Sequence, residues 1–176
     1  MLIAGGTGGG KTYFILTIIE ALLRTDAGIR ILDPKNADLA DLASVMPNVY
    51  YRKDDMIDCI NEFYEEMMER SETMKQLPNY KTGENYAYLG LPPCFLIFDE
   101  YVAFLEMLTT KESTALLSQL KKIVMLGRQA GYFLIVACQR PDAKYFGDGI
   151  RDNFNFRVGP VSYTHLRAHE TLSDLV

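Results

Sequence analysis

The sequence lacks the features that mark membrane-spanning and secreted proteins. Its longest uninterrupted apolar stretch, residues 132 to 138, is far shorter than the ~20 residues that a membrane-spanning helix needs. No charged segment followed by an apolar one opens the chain, so the pattern of a secretory signal is missing. These absences predict a soluble, unsecreted segment.

Cysteine is also scarce. The chain of 176 residues has three cysteines, Cys59, Cys94 and Cys138, each within an apolar pattern and none in a Cys-x-x-Cys pair. An odd number without paired spacing is typical of buried reduced thiols, and it indicates neither a disulfide framework nor a metal site.

Positive charge is not in excess. Lys and Arg number 18 against 23 Asp and Glu, which gives a net charge of -5. This balance argues against binding of nucleic acid through bulk charge, although a local basic loop or the lumen of a ring could still bind it. With 48% hydrophobic and 23% charged residues, the composition is that of one ordinary packed domain.

What the sequence does have is a glycine-rich loop near its start. Residues 5 to 12, Gly5-Gly6-Thr7-Gly8-Gly9-Gly10-Lys11-Thr12, fit G-x-x-x-x-G-K-[ST] between a short apolar run and a helical pattern. Glycines let the backbone approach an anion closely, and the start of a helix attracts negative charge. We therefore expect all eight residues to bind the polyphosphate of a nucleotide. Lys11 would reach the β and γ phosphates, and the Thr12 hydroxyl would bind Mg²⁺. The alternative is a chance glycine-rich turn.

Strands and helices alternate along the chain. The patterns predict strands at residues 29–32, 48–51, 94–98 and 132–138, and helices at 11–24, 37–44, 54–75 and 112–128. Residues 76 to 93 are rich in proline and glycine and predict a connection. This order indicates an α/β fold with a mostly parallel sheet and helices on both faces. Because only residues 1 to 4 precede the glycine loop, we expect a truncated N-terminus.

Two carboxylates follow the apolar run that ends at Phe98. Asp99 and Glu100 would lie at the carboxyl end of a buried strand, the edge at which α/β sheets bind ligands. Asp99 is then expected to hold Mg²⁺, directly or through water, opposite Thr12, and Glu100 to polarise the attacking water. The alternative is that the pair simply caps a helix after the strand.

Gln139 and Arg140 follow the next apolar strand. In P-loop ATPases with a catalytic glutamate, the strand that follows the acidic pair along the chain usually lies in the sheet between two others. These are the strand that precedes the acidic pair and the strand that precedes the glycine loop. Gln139 would then lie beside the γ phosphate as a sensor. The alternative is a loop amide that caps a turn.

Five ordered segments resemble the motor domain of FtsK/SpoIIIE-type DNA translocases, in the coupling-protein branch of conjugative elements. The segments are residues 3–12, Leu32-Asp33-Pro34-Lys35, Ile97-Phe98-Asp99-Glu100-Tyr101, Gly127-Arg128-Gln129-Ala130-Gly131 and Ala137-Cys138-Gln139-Arg140-Pro141. The resemblance covers about residues 2 to 158.

The resemblance implies a RecA-like P-loop NTPase fold and a homo-hexameric ring that hydrolyses ATP with Mg²⁺ and drives DNA through its pore in conjugative transfer. It also implies a cytoplasmic location, with a membrane anchor in the parent protein that is absent here. Arg128 or Arg140 would act on the γ phosphate of a neighbouring subunit, unless it pairs with Asp99, Glu100 or solvent. Three alternatives stay open: a secretion-type ATPase that acts on protein, a nucleotide-gated binding module without turnover, and a fragment that is inactive although its parent protein is a motor.

The family pattern stops near residue 160. We therefore expect residues 1 to 159 to be a partial motor domain, truncated at both ends. Residues 160 to 176 resemble translated sequencing-adapter read-through and are expected to be a non-native tail, with a genuine C-terminal helix as the alternative. His165 and His169 are for that reason not proposed as metal ligands, despite their helical spacing.

Overall fold

The computed structural model describes residues 1–6, 8–139, 153–154 and 156–159. Within them, six parallel strands form one sheet in the order β3-β2-β4-β5-β1-β6. The strands are β1 (Leu2–Ala4), β2 (Gly28–Leu32), β3 (Val49–Tyr50), β4 (Cys94–Phe98), β5 (Tyr132–Cys138) and β6 (Arg157–Val158). The predicted α/β fold with a parallel sheet is confirmed.

Four α-helices connect the strands in the described part of the chain. They are α1 (Lys11–Leu22), α2 (Lys53–Thr73), α3 (Tyr101–Met107) and α4 (Thr110–Ala130). Short 3-10 helices cover Ala40–Ser44, Met74–Gln76 and Tyr86–Leu89. None of the described helices combines the length and the apolar composition needed to cross a bilayer.

The prediction of a helix over residues 37 to 44 was wrong. Only a 3-10 helix, Ala40–Ser44, forms there. The Asp33 carboxylate accepts the backbone N–H groups of Ala37 and Ala40, at 2.9 and 3.0 Å, and so bends this segment into a turn. Local bonds of this kind from an Asp side chain compete with helix formation.

The sequence patterns predicted a helix at α3 only through the alternative in which the acidic pair caps a helix after the strand. Glu100 does lie at the N-cap position of α3, but its side chain makes no capping hydrogen bond. This helix begins directly after the acidic pair, and it buries Tyr101 and Phe104 against Phe98. The backbone of Glu100 is left-handed, with φ 46°, which turns the chain from the end of β4 into the helix.

Helices cover both faces of the sheet, as predicted. Successive side chains of a strand point to opposite faces. On β4, Leu96 and Phe98 pack with the core under α2, α3 and α4, whereas Ile97 packs with the core under α1. Because β5 lies between β4 and β1, the ends of these three strands bring the glycine loop, the acidic pair and Gln139 to one edge.

The expectations about the ends of the domain stay predictions. Residues 160 to 176, including His165 and His169, lie outside the described residues, and so do Thr7 and Arg140.

Candidate functional site

The glycine loop connects β1 to the start of α1. Gly5 N–H donates to the Cys138 carbonyl at 3.2 Å, which ties the loop to the end of β5. Gly9 N–H donates to the Gly6 carbonyl at 3.1 Å. Gly8 and Gly10 have φ values of 77° and 75°, a conformation that side chains with a Cβ rarely adopt. The local path of the loop therefore requires glycine at these two positions.

Open space lies over the loop. A Cβ atom added at Gly6, Gly8 or Gly10 would meet no atom within 4 Å. The exposed loop therefore leaves room for an anion at the N-terminus of α1, where backbone N–H groups and the helix dipole favour negative charge. This arrangement fits a bound phosphate.

Lys11, the first residue of α1, folds back over the loop. Its Nζ atom donates to the carbonyls of Gly5 and Gly6 at 2.7 and 3.3 Å. The same Nζ lies 3.9 Å from Oε1 of Glu100, and the Lys11 side chain is only 9% exposed. One ammonium group thus joins the glycine loop to the acidic pair.

Asp99 is a buried carboxylate at this edge. It is 8% exposed, and Oδ1 accepts the Glu100 N–H at 2.9 Å. Burial raises the pKa of Asp99 above its usual value, and the nearby Glu100 and Asp33 carboxylates add to the rise, whereas the Glu100 N–H and the Lys11 ammonium oppose it. A bound cation would stabilise the charged form of a buried carboxylate that lies near other acids.

Glu100 lies among polar partners on three sides. Oε2 is 3.5 Å from Lys35 Nζ, and Oε1 accepts from Gln139 Nε2 at 3.5 Å in addition to facing Lys11. The Glu100 side chain is 17% exposed, so one part of the carboxylate remains accessible. A carboxylate held in this way can take a proton from a water bound in front of it.

The described residues hold no cluster of three or more His, Cys, Asp or Glu side chains arranged for a metal. Mg²⁺ at nucleotide sites takes one or two protein oxygens together with phosphates and waters. Thr12 and Asp99 can each supply an oxygen ligand of that kind. Thr12 is half-buried as the second residue of α1. Their chemistry fits Mg²⁺ bound together with a phosphate.

The structure brings together most of the residues that the sequence singled out. Gly5, Gly6, Gly8 to Gly10, Lys11, Thr12, Asp99, Glu100 and Gln139 all lie at the carboxyl edge of the sheet. Thr7 and Arg140 lie outside the described residues.

Arg128 lies at the opposite edge. It is exposed in the last turn of α4, just before the seven-residue strand β5 begins, and Gln139 follows the far end of that strand. At ~3.3 Å per residue the two positions are roughly 20 Å apart. The alternative in which Arg128 pairs with Asp99 or Glu100 is therefore wrong.

Two further residues of the site were given no role by the sequence patterns. Asp33 is 1% exposed and organises the turn after β2, and Lys35 from that turn contacts Glu100. The signal that could have identified them is their position directly after β2. Parallel neighbouring strands end at the same edge of a sheet, so the residues after β2 lie near the acidic pair that follows β4.

Comparison with known proteins identifies a family and several relatives. A family model described as "Helicase HerA, central domain" matches residues 1–132. The FtsK domain-containing protein YdcQ of Bacillus subtilis is 64% identical over 159 residues, which make up 90% of this chain and 33% of YdcQ. DNA translocase FtsK of Helicobacter pylori is 28% identical over 177 residues, covering 90% of this chain and 20% of that protein. The chain thus spans a third or less of these relatives.

Two solved structures show the same fold. The conjugation coupling protein TcpA of pCW3, in its monomer form with ATPγS, superposes with a TM-score of 0.75 at 21% identity, covering 90% of this chain and 48% of TcpA. The cytoplasmic domain of the Thermomonospora curvata type VII secretion ATPase EccC gives a TM-score of 0.73 at 18% identity, covering 90% of this chain and 19% of EccC.

The parallel sheet covered by helices, with the G-x-x-x-x-G-K-[ST] loop between β1 and α1, defines an α/β fold of the P-loop kind, and TcpA and EccC share this fold. Within that class, the chain belongs to the HerA/FtsK-type family, because the family model matches 132 of its 176 residues.

Proposed function

We propose that this chain binds ATP with Mg²⁺ and hydrolyses it to move DNA, as part of a conjugative transfer apparatus. One observation carries the ATPase part of the proposal. Lys11 of the glycine loop and Glu100 of the acidic pair lie within 3.9 Å of each other, so that a single triphosphate can contact both groups. This convergence is what hydrolysis of a γ phosphate requires.

The glycine loop and Lys11 would bind the phosphates. A Cβ atom added at Gly8 or Gly10 would meet no atom within 4 Å, which leaves room for a phosphate at the start of α1, and the Lys11 ammonium would turn from the carbonyls of Gly5 and Gly6 to reach the γ phosphate. Thr12 and Asp99 would hold Mg²⁺. When bound, Mg²⁺ would neutralise charge that develops on the β and γ phosphates.

Glu100 would orient the attacking water and accept its proton. Its carboxylate lies next to Lys11 but is not needed for the metal, which Asp99 and Thr12 would bind. Gln139 donates to the same carboxylate, so it is placed to respond to the γ phosphate through Glu100 as well as directly.

An arginine from a neighbouring subunit would complete the site in a homo-hexamer. Arg128 lies too far from the glycine loop of its own chain, so it could act only on the next subunit. Arg140 is the other candidate. Arginines supplied in this way stabilise charge on the transferring phosphate.

The DNA part of the proposal rests on relatives. The similarity to FtsK, a DNA translocase, and to TcpA, a conjugation coupling protein, supports DNA as the substrate and conjugation as the setting. We further propose that the parent protein acts at the cytoplasmic face of the membrane, held by an anchor outside this chain.

The likeness to EccC supports a second candidate, a secretion-type ATPase that acts on protein. A third, a nucleotide-gated module without turnover, is disfavoured by the convergence of Glu100 and Gln139, which binding alone does not require.

DNA-stimulated hydrolysis separates these candidates. We expect ATP turnover by the purified protein to rise several-fold on addition of linear double- or single-stranded DNA and to lose this stimulation as salt is raised, because phosphate contacts are salt-dependent. Phosphate release would be measured with DNA, with heparin as a polyanion control, and with the Glu100→Gln variant as a blank. Turnover that ignores DNA but rises with an exported protein would favour the secretion ATPase, and ATP binding without phosphate release would favour the gated module.

A further inference from the structure

Lys35 contacts Glu100, and none of the roles proposed above uses it. Its Nζ atom lies 3.5 Å from Oε2 of Glu100. The other oxygen, Oε1, faces Lys11 Nζ at 3.9 Å and Gln139 Nε2 at 3.5 Å. The two oxygens of this carboxylate therefore have different partners.

The turn that carries Lys35 is fixed to the sheet. The buried Asp33 carboxylate accepts three backbone N–H groups, those of Lys35, Ala37 and Ala40, at 3.2, 2.9 and 3.0 Å. Asp33 N–H donates in turn to the Tyr50 carbonyl of β3 at 2.9 Å. The backbone of Lys35 thus has a defined position beside the end of β4.

Binding of a nucleotide would change the two sides of Glu100 unequally. In the proposed reaction Lys11 turns to the phosphates, which leaves Oε1 with the neutral Gln139 amide as its partner, whereas Lys35 belongs to a separate element and keeps its contact with Oε2. A charge-assisted contact on one oxygen limits rotation of the carboxylate. Oε1, which no longer faces an ammonium group, is then directed at the water.

We propose that Lys35 is a positioning residue that anchors Oε2 of Glu100, so that Oε1 is presented to the attacking water. This inference rests on the proposed function, because it assigns a role within the same site. Lys35 acts through Glu100 and contacts neither the phosphates nor the metal.

We expect loss of the contact between Lys35 and Glu100 to lower the rate of ATP hydrolysis and to leave the stability of the fold nearly unchanged. The Lys35 side chain is 44% exposed, and exposed ion pairs contribute little to folding. Misplacement of a catalytic group by about 1 Å, in contrast, can cost ~10²-fold in rate.

The test replaces Lys35 by methionine, which keeps the length of the side chain and removes its charge. We expect kcat for ATP to fall by ~10- to 100-fold, with KM and the melting temperature nearly unchanged. Lys35→Arg should restore most of kcat, because it keeps the charge. Lys111→Met, an exposed lysine in the first turn of α4, is the matched control and should leave kcat unchanged.

A double variant distinguishes positioning from a merely structural role. Adding Lys35→Met to Glu100→Gln should lower kcat by no more than about twofold further, because the residue acts through Glu100. Three outcomes would overturn the role of Lys35 and leave the proposed ATPase function intact. They are an equal loss of kcat in the wild-type and Glu100→Gln backgrounds, a change confined to KM, and an unchanged kcat in Lys35→Met. A wild-type protein that binds ATP without turnover would contradict the proposed ATPase and, with it, the role of Lys35.

Discussion

Glu100→Gln is expected to retain ATP binding while turnover falls by ~10²- to 10⁴-fold, the range that a general base contributes. Glutamine keeps the shape and the hydrogen-bonding capacity of the side chain, so the neighbouring Lys11, Lys35 and Gln139 keep a polar partner. It cannot accept the proton of water. Binding depends on the glycine loop and Lys11, which the substitution leaves in place.

Steady-state phosphate release and binding of a fluorescent ATP analogue measure the two effects separately. Glu106→Gln is the matched control, since Glu106 is an exposed glutamate of α3 six positions further on, and it should behave as wild type. Turnover in Glu100→Gln at the wild-type rate would show that another group takes the proton.

Lys11→Ala is expected to abolish measurable turnover and to weaken ATP binding by roughly 10- to 150-fold, the loss of one or two charge-assisted hydrogen bonds. The ammonium group is the cation of the glycine loop, and in this structure it is already held over the loop by the Gly5 and Gly6 carbonyls. No other side chain of the loop carries a charge.

Titration calorimetry with Mg²⁺ and ATPγS measures this loss without hydrolysis. Lys81→Ala, an exposed lysine outside the site, controls for the removal of one positive charge and should bind as wild type. Lys11 also contacts the carbonyls of the loop, so the melting temperature of the Lys11→Ala protein should be compared with that of wild type in parallel. Unchanged affinity in a folded Lys11→Ala protein would place the nucleotide elsewhere.

The strands that carry the site could be predicted from the sequence. The continuous apolar runs of β4 and β5 end at their observed bounds, because strands buried on both faces need apolar side chains at every position. The order of β4, β5 and β1 was predicted from the order that is usual in P-loop ATPases. That order brings the glycine loop, Asp99 and Gln139 to one edge.

The parts that were missed depend on tertiary contacts. The turn after β2 looked helical because the sequence does not show that one buried carboxylate, Asp33, takes up its N–H groups. Lys35 meets Glu100 only because β2 pairs with β4, two strands far apart in the chain. Arg128 and Gln139 are near in sequence, yet the turn at Gly131 and the length of β5 separate them across the sheet.

The central claim is that the glycine loop and the acidic pair bind one magnesium triphosphate. A crystal structure of the Glu100→Gln protein with Mg²⁺ and ATP tests it most directly. The γ phosphate is expected within hydrogen-bonding distance of Lys11 Nζ, with Mg²⁺ held between the Thr12 hydroxyl and Asp99. A triphosphate bound elsewhere, or one bound at the loop with Asp99 and residue 100 out of reach, would contradict the claim.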